Sequence, residues 1–259
     1  MSLPTQFKLN TGAQIPAVGL GTWRSEPGEV RKAVSFALKN GYNHIDAAFL
    51  STGLSDSFLE LFPVKPDGTR SVDRSWDQSE TWRQMEELYK AGKVKAIGVA
   101  NWSIPYLEEL KKKWTVVPAV NQVELHPFLP QHALKEWCDK HGILLEAYSP
   151  LGSEGLNDLQ RLIWVFFGAP LMFDPAIQDI AKKNDVSPAT VLISYHINRG
   201  TVVLPKSIKE GRIVSNSQVT SLSDEDMDVL NGLAAQGKAK RINTPLFGWD
   251  LGFDDWYKQ

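Results

Sequence analysis

Cys138 is the only cysteine among the 259 residues, so the chain can form no internal disulfide, and a reducing compartment such as the cytoplasm is favoured. No stretch approaches the roughly 20 apolar residues that a membrane-spanning helix needs. Residues 1–12 lack the charged and apolar regions of a signal peptide. The formal charge of −2 gives no reason to expect nucleic acid or an anionic membrane as partner. We therefore expect a soluble, cytoplasmic protein.

Two nucleotide-binding motifs and a metal-binding pattern are also missing. The sequence contains neither G-x-G-x-x-G nor G-x-x-x-x-G-K-[ST], so no Rossmann fingerprint and no phosphate loop is predicted. No two histidines have the spacing of a metal-ligand pair, and we expect no metal. His44, inside a strand-like run, and His126, before a proline, are interpreted as packing or hydrogen-bonding residues.

Strand-like and helix-like runs alternate along the chain, which is typical of an α/β fold with a parallel sheet. Asn10-Thr11-Gly12 separates two short runs and predicts an N-terminal β-hairpin. About six core strands are predicted, whereas a complete (β/α)₈ TIM barrel has eight. They lie near residues 16–23, 43–48, 94–101, 117–124, 143–151 and 201–206.

The helix-like runs show apolar residues at helical spacing and residues typical of helix N-caps. Val30, Ala33, Val34 and Ala37 recur at helical spacing, and in residues 79–92 Trp82, Met85 and Leu88 are predicted on one helix face. Ser103 and Ser187, each followed by a proline within two residues, are predicted N-caps.

Two segments depart from the alternating pattern. Residues 49–61 show neither strand alternation nor a bounded helix, and residues 156–170 contain an apolar run that includes the consecutive residues 163–167. That run is too short to span a membrane, and a buried extra helix or flap is one interpretation of it.

Polar and aromatic residues cluster where the predicted strands end, the working edge of a parallel barrel. The amides Asn101 and Gln122 with the ring of Tyr148 would suit a flat heteroaromatic ring that carries a carboxamide. Lys206, Ser207 and Arg212 would suit a phosphate group, although such a set is also common on a solvated surface.

Six motifs in order resemble the aldo-keto reductases: PAVGLGTW, NHIDAA, GKVKAIGVAN, PAVNQVELHP, LLEAYSPLGS and VVLPKSIKEGRIVSN. The resemblance is greatest to fungal enzymes of the glycerol dehydrogenase or small-sugar reductase type, and it includes the C-terminal TPLFGWDLGFDDWYK. It implies a single NADP(H)-dependent oxidoreductase domain over residues 1–259 on a (β/α)₈ barrel. It also implies a small carbonyl or polyol substrate, and we expect a monomer.

The resemblance assigns site residues by motif. Thr22, Trp23 and Asp46 would line the nicotinamide end, and Trp23 would also wall the substrate pocket. Asn101 and Gln122 would hold the carboxamide, and Tyr148 would stack on the ring. The residues expected along the pyrophosphate, the 2′-phosphate and the adenine are Ser149, Leu151, Ser153, Lys206, Ser207, Arg212 and Asn216. Ala100 stands where the family usually has a serine, which removes one hydroxyl contact.

The catalytic tetrad of the family is represented by Asp46 alone. In the family a Tyr protonates the carbonyl oxygen, a Lys lowers the pKa of that Tyr, an Asp pairs with the Lys, and a His orients the substrate. The Tyr is expected five residues after Asp46, where this chain has Ser51. The strands that bring the Lys and the His correspond to two absent βα units of about 30 residues each. The absence of two βα units thus explains both the count of six strands and the three missing catalytic groups.

Three hypotheses about function follow. The chain could be an active NADPH-dependent carbonyl reductase, or an NADP(H)-binding protein that has lost catalysis. It could also be a poorly folding splice or gene-model variant, since segments 49–61 and 156–170 are typical of a skipped coding stretch and a retained non-coding one. Unpaired strand edges would favour aggregation in that case.

Overall fold

The computed structural model describes residues 2–23, 25, 27–47, 65, 75, 77–152, 171–243 and 250–256. The atypical segments 49–61 and 156–170, together with Ser51 and Ser153, lie outside the described residues.

The predicted N-terminal hairpin is confirmed. β1 (Gln6–Lys8) pairs antiparallel with β2 (Gln14–Pro16), with Phe7 opposite Ile15. Gly12 has φ +85° and its N–H donates to the Leu9 carbonyl at 2.9 Å. Glycine is favoured there because it adopts positive φ at little cost.

Six further strands are described, one at each predicted position, with shorter bounds than the sequence runs suggested. They are β3 (Leu20–Gly21), β4 (Ile45–Asp46), β5 (Val99–Ala100), β6 (Val120–Glu124), β7 (Leu144–Tyr148) and β8 (Val202–Val203). β3 pairs parallel with β4, and β5-β6-β7-β8 form a second parallel sheet. Parallel bridges from Val18 to Val203 and from Gly21 to Lys206 join the two sheets.

The resulting strand order is β4-β3-β8-β7-β6-β5, an incomplete barrel. β4 and β5 are the outermost strands, and no pairing joins them within the part of the chain that the structure describes. The chain between these two strands is where two βα units are predicted to be missing. Gly98 and Ala100, at the edge formed by β5, are exposed.

Eight α-helices occur within the described ranges. They are α1 (Pro27–Lys39), α2 (Gln78–Lys90), α3 (Ile104–Lys111), α4 (His132–Lys140), α5 (Pro175–Lys183), α6 (Pro188–Asn198), α7 (Glu210–Asn216) and α8 (Asp224–Gly232). The main apolar core lies between β6 and β7 and the helices that cover them, with Val123, Leu125, Leu145 and Ile193 fully or almost fully buried.

The predicted helix faces are correct for α1 and partly wrong for α2. Ala33 and Ala37 of α1 are buried, and so is Trp82 of α2, but Leu88 is 47% exposed. Glu86 takes the inner position instead, because its carboxylate accepts hydrogen bonds from the N–H groups of Thr115 and Val116 at 2.6 and 2.8 Å.

The two predicted N-caps differ. The Ser187 side chain accepts a hydrogen bond from the Thr190 N–H at 3.0 Å and caps α6. Ser103 occupies the N-cap position of α3, but its side chain makes no capping hydrogen bond.

Gly98 is required by the close approach of β5 to β6. A Cβ at this position would lie 2.7 Å from the Val120 carbonyl oxygen, a backbone atom that cannot move independently. We expect Gly98→Ala to lower the free energy of unfolding by about 1–3 kcal/mol. Gly211 lies in α7, and a Cβ added there has no other atom within 4 Å. We therefore expect Gly211→Ala to raise the free energy of unfolding by up to about 1 kcal/mol. Urea unfolding of both variants checks the difference, and equal effects would contradict it.

Candidate functional site

Three predicted cofactor-binding residues lie on neighbouring strands. Asn101 follows β5, Gln122 lies in β6, and Tyr148 ends β7. The register pairs Ala100 with Gln122 and Glu124 with Tyr148, so the three side chains belong to one end of the sheet. The Tyr148 hydroxyl donates to Asn101 Oδ1 at 2.9 Å, which brings two of them into direct contact.

The other side of the site is formed where β3 meets β8. The bridge between Gly21 and Lys206 places Lys206 beside Thr22, the residue that follows β3. Thr22 is buried, and its hydroxyl donates to the Asp46 carbonyl at 2.8 Å. Trp23 is 42% exposed, as a residue that walls an open pocket would be.

Asp46 is linked to a carboxamide. Gln122 Nε2 donates to Asp46 Oδ1 at 3.2 Å and to Glu146 Oε2 at 3.1 Å. Burial raises the pKa of Asp46, the nearby charge of Glu146 adds to this, and the Gln122 hydrogen bond and His44 only partly oppose it. Within the described ranges no lysine or arginine side chain pairs with Asp46.

His44 forms an ion pair inside the barrel. Its Nε2 lies 3.1 Å from Glu146 Oε1, and its Nδ1 lies 3.4 Å from the Pro16 carbonyl. Burial alone would lower the pKa of His44, but the Glu146 carboxylate, with smaller contributions from Pro16 and Asp46, raises it overall. His44 is therefore more than the packing residue that the sequence suggested.

The raised pKa of His44 predicts a pH-dependent stability. The pKa of His44 in the folded protein lies above its unfolded value of about 6.5. The contact with Glu146 therefore stabilises the fold fully below pH 6.5, and this stabilisation is lost as the pH rises through the folded pKa of His44. We expect His44→Gln to cost more free energy of unfolding at pH 6 than at pH 8. Urea unfolding at both values measures this, and Glu146→Gln should show the same trend. A pH-independent difference for both variants would contradict the ion pair.

Tyr148 is poorly suited to donate a proton. Burial, and then the nearby Glu124 carboxylate, raise the pKa of its hydroxyl, whereas a donor acting near neutral pH needs a lowered one. Its hydroxyl is also engaged with Asn101. The stacking role predicted for Tyr148 stays a prediction.

The residues predicted to bind the 2′-phosphate and the adenine precede α7 or lie within it, and Asn216 is its last residue. Lys206 and Arg212 are exposed, whereas Ser207 and Asn216 are buried. The Ser207 hydroxyl oxygen accepts a hydrogen bond from the Lys209 N–H at 3.1 Å. In the described part of the chain neither the Lys206 ammonium nor the Arg212 guanidinium has a hydrogen-bond or ion-pair partner.

Two exposed cations that are unpaired among the described residues would fit the 2′-phosphate of NADP(H), which offers several anionic oxygens. The strand-end amides Asn101 and Gln122 fit its carboxamide, although each already has a side-chain partner. Ser149 and Leu151 follow β7, and Leu151 is half-buried against the core. The predicted role of Ser153 cannot be placed, because it lies outside the described residues.

Glu124 and Asn243 are not among the predicted site residues, yet they lie beside this set. Glu124 is fully buried at the end of β6 and accepts hydrogen bonds from the N–H groups of Ile242 and Asn243 at 2.7 and 2.8 Å. His126 Nε2 donates to the same carboxylate at 2.9 Å, which agrees with the hydrogen-bonding role predicted for this histidine. A lone acid in the run NQVELHP was the available signal for Glu124.

The sequence pattern of the aldo/keto reductase family matches residues 70–235, more than half of the chain. The chain belongs to the aldo/keto reductase family. The D-galacturonate reductase of Hypocrea jecorina is 38% identical, with 97% of this chain and 98% of that protein covered. The glycerol 2-dehydrogenase (NADP(+)) of Saccharomyces cerevisiae is 37% identical, with 92% and 94% covered.

Among solved structures, the aldose reductase from Schistosoma japonicum superposes with a TM-score of 0.82 at 28% identity. The match covers 97% of this chain and 99% of that chain. The fold is therefore that of the aldo/keto reductase barrel, and among the described residues its strand order is open between β4 and β5. By family and by these named reductases, the chain is an oxidoreductase.

The alignment with the D-galacturonate reductase bears on the missing units. It extends over 317 positions, which exceeds the 259 residues of this chain by about 60. That difference equals the size of two βα units at roughly 30 residues each. The relative therefore contains about this number of residues, in one or more stretches, with no counterpart here.

The described residues contain neither a candidate membrane-spanning helix nor a candidate metal site. No helix there is long and apolar enough to cross a membrane. No group of three or more histidine, cysteine, aspartate or glutamate residues there is placed to hold a metal ion.

Proposed function

We propose that this chain is a cytoplasmic, monomeric NADP(H)-binding oxidoreductase that slowly interconverts the carbonyl groups of small sugars with the hydroxyl groups of the corresponding polyols. The observation that carries the proposal is the pair of exposed cations Lys206 and Arg212, which have no partner among the described residues, together with strand ends that offer Asn101, Gln122 and Tyr148. The names of the relatives, D-galacturonate reductase and glycerol 2-dehydrogenase (NADP(+)), support the substrate class and the cofactor.

Different groups of side chains are proposed to bind different parts of the cofactor. Lys206, Ser207 and Arg212 would hold the 2′-phosphate, with Asn216 beside the adenine. Ser149, Leu151 and Ser153 would follow the pyrophosphate, and the strand-end residues Asn101, Gln122 and Tyr148 would hold the nicotinamide with Thr22, Trp23 and Asp46. When bound, NADPH supplies the hydride.

Proton transfer to the carbonyl oxygen is the step that we propose to be slow. Ser51 is predicted to occupy the family's tyrosine position, and a serine hydroxyl is a far weaker acid than a tuned phenol. Asp46 pairs with an amide, so nothing in this contact reproduces the Asp–Lys pair of the family. General acid catalysis typically contributes about 10²–10⁴-fold in rate, and a loss of this order is proposed.

A fluorescence titration with NADPH on purified protein tests the cofactor site. We expect saturable binding of one NADPH per chain, weaker binding of NADH, and elution from a sizing column as a monomer. Prolonged incubation with NADPH and D-galacturonate or glyceraldehyde should yield traces of the alcohol formed by reduction of the substrate's aldehyde group. A folded sample that does not bind NADPH would overturn the proposal.

A second candidate is an NADP(H)-binding protein without any turnover. The engagement of Gln122 by both Asp46 and Glu146 favours it, because that amide must exchange partners to hold a carboxamide in a productive position. Saturable NADPH binding with no product after prolonged incubation would select this candidate. An aggregated sample would instead favour the poorly folding variant, with the edges of β4 and β5 as the physical cause.

A further inference from the structure

Several buried polar atoms without a hydrogen-bond partner belong to only three residues. Among the described residues, six buried side-chain nitrogen or oxygen atoms have no hydrogen-bond partner. Four of the six are Nδ1 of His126, both ring nitrogens of His196, and Nη1 of Arg199. Buried polar atoms in folded proteins are paired in the large majority of cases. This concentration therefore indicates a ligand that is not part of the chain.

The three residues are brought together by the end of α6 and the loop that follows β6. His196 lies in α6, and Arg199 follows this helix three positions later, so the two belong to one helical face. Arg199 Nη2 donates to the Pro130 carbonyl at 2.8 Å. His126 is part of the same loop, where its N–H donates to the Leu129 carbonyl at 3.3 Å. The four atoms thus belong to one buried region.

His196 requires both a donor and an acceptor. It is completely buried. Burial lowers the pKa of His196 well below its ordinary value, and the nearby charges of Arg199 and His126 lower it further, so the ring is neutral. A neutral imidazole carries one N–H donor and one acceptor nitrogen. A ligand that satisfies His196 therefore has to accept one hydrogen bond and donate another.

The other two atoms narrow the chemistry of the ligand. His126 Nε2 donates to Glu124 Oε1 at 2.9 Å, so Nδ1 of the neutral ring is an acceptor, whereas Arg199 Nη1 can only donate. A halide or a phosphate oxygen accepts but cannot serve the two acceptor nitrogens, and the guanidinium repels a metal cation. Water both donates and accepts, and buried water typically pairs such groups.

From this arrangement we infer that His126, His196 and Arg199 form a binding site for buried water, with a separate water molecule on each ring nitrogen of His196. The two ring nitrogens point in different directions, so a single water molecule cannot bond to both. Since His126 also binds Glu124, the site connects α6 with the buried carboxylate at the end of β6. The inference goes beyond the proposed function and holds whether or not the chain binds NADP(H).

A high-resolution crystal structure tests the site directly. We expect electron density for a water molecule at about 2.7–3.2 Å from each ring nitrogen of His196. Absence of density at either nitrogen would overturn the inference. A crystal soaked in sodium bromide should show no anomalous peak at the site, and a peak there would overturn the assignment of water in favour of an anion.

A substitution of similar size tests the site in solution. His196→Leu removes both nitrogens and leaves the water molecules without these partners, so we expect the thermal midpoint to fall by about 4–8 °C. If the nitrogens had no ligand, the same change would remove two unsatisfied polar atoms and raise the midpoint. A rise or an unchanged midpoint would therefore contradict bound water.

His132→Leu is the matched control. His132 is exposed, and its Nε2 lies 3.2 Å from the Asn231 carbonyl. We expect its thermal midpoint to change by less than about 2 °C. An equal fall in the His132→Leu and His196→Leu variants would overturn the inference, because the loss would then not depend on the buried nitrogens.

Discussion

Replacing Arg212 by Gln is expected to weaken NADPH binding by about 10- to 100-fold, and to leave NADH binding within about 2-fold of wild type. The two cofactors differ only in the 2′-phosphate, and a hydrogen bond to a charged group is worth about 1.5–3 kcal/mol. Arg212 is exposed and has no partner among the described residues, so no internal ion pair has to be broken for it to bind phosphate. Fluorescence titration with both cofactors measures the ratio.

Arg83 supplies the control for this prediction. It is an exposed arginine on α2, with 56% of its side chain accessible, and its partners are glutamates of the same helix. Arg83→Gln removes an equal charge and should leave both affinities unchanged. A fall in NADPH affinity in both variants would point to net charge alone, and equal losses for NADPH and NADH in Arg212→Gln would contradict the 2′-phosphate assignment.

Replacing Glu124 by Ala is expected to lower the free energy of unfolding by about 3 kcal/mol. Glu124 is fully buried, and its loss leaves the N–H groups of Ile242 and Asn243 without their acceptor. Each unsatisfied buried donor costs about 1–3 kcal/mol, and removing one member of a buried charged network costs about 3–5 kcal/mol. Urea unfolding measures the change.

Glu109 is the matched exposed acid. Its side chain is 71% exposed and pairs with Lys112 on the surface, so Glu109→Ala should change the free energy of unfolding by less than about 1 kcal/mol. Glu124→Gln, which keeps the shape and loses the charge, should fall between the two. Equal stability of the Glu124→Ala and Glu109→Ala variants would contradict the structural role of the buried carboxylate.

The local features of the fold could be predicted from sequence because they depend on short-range patterns. Gly12 marks the hairpin turn, and the apolar runs mark all six strands. The strand-end amides Asn101 and Gln122 could be placed together because parallel strands end at one edge. Leu88 was misplaced because helical periodicity alone does not reveal that Glu86 binds the N–H groups of Thr115 and Val116.

The polar network of the site could not be predicted, because its contacts join residues far apart in the chain. Gln122 contacts Asp46 across 76 positions, and Asn243 contacts Glu124 across 119. Neither motif spacing nor residue type encodes such pairs. Glu146, a lone charge inside the apolar run ILLEAY, was a second local signal of an interior partner beside Glu124, and it pairs with His44.

The central claim is that this aldo/keto reductase keeps its cofactor site and lacks the family's proton donor. The most direct test is the turnover number for glyceraldehyde reduction, measured by NADPH consumption at saturating NADPH in a sample that binds one NADPH per chain. With enzymes typically turning over at about 10 s⁻¹ and a proton donor worth about 10²–10⁴-fold, we predict a value at or below about 0.1 s⁻¹. A turnover number near 10 s⁻¹ would contradict the account.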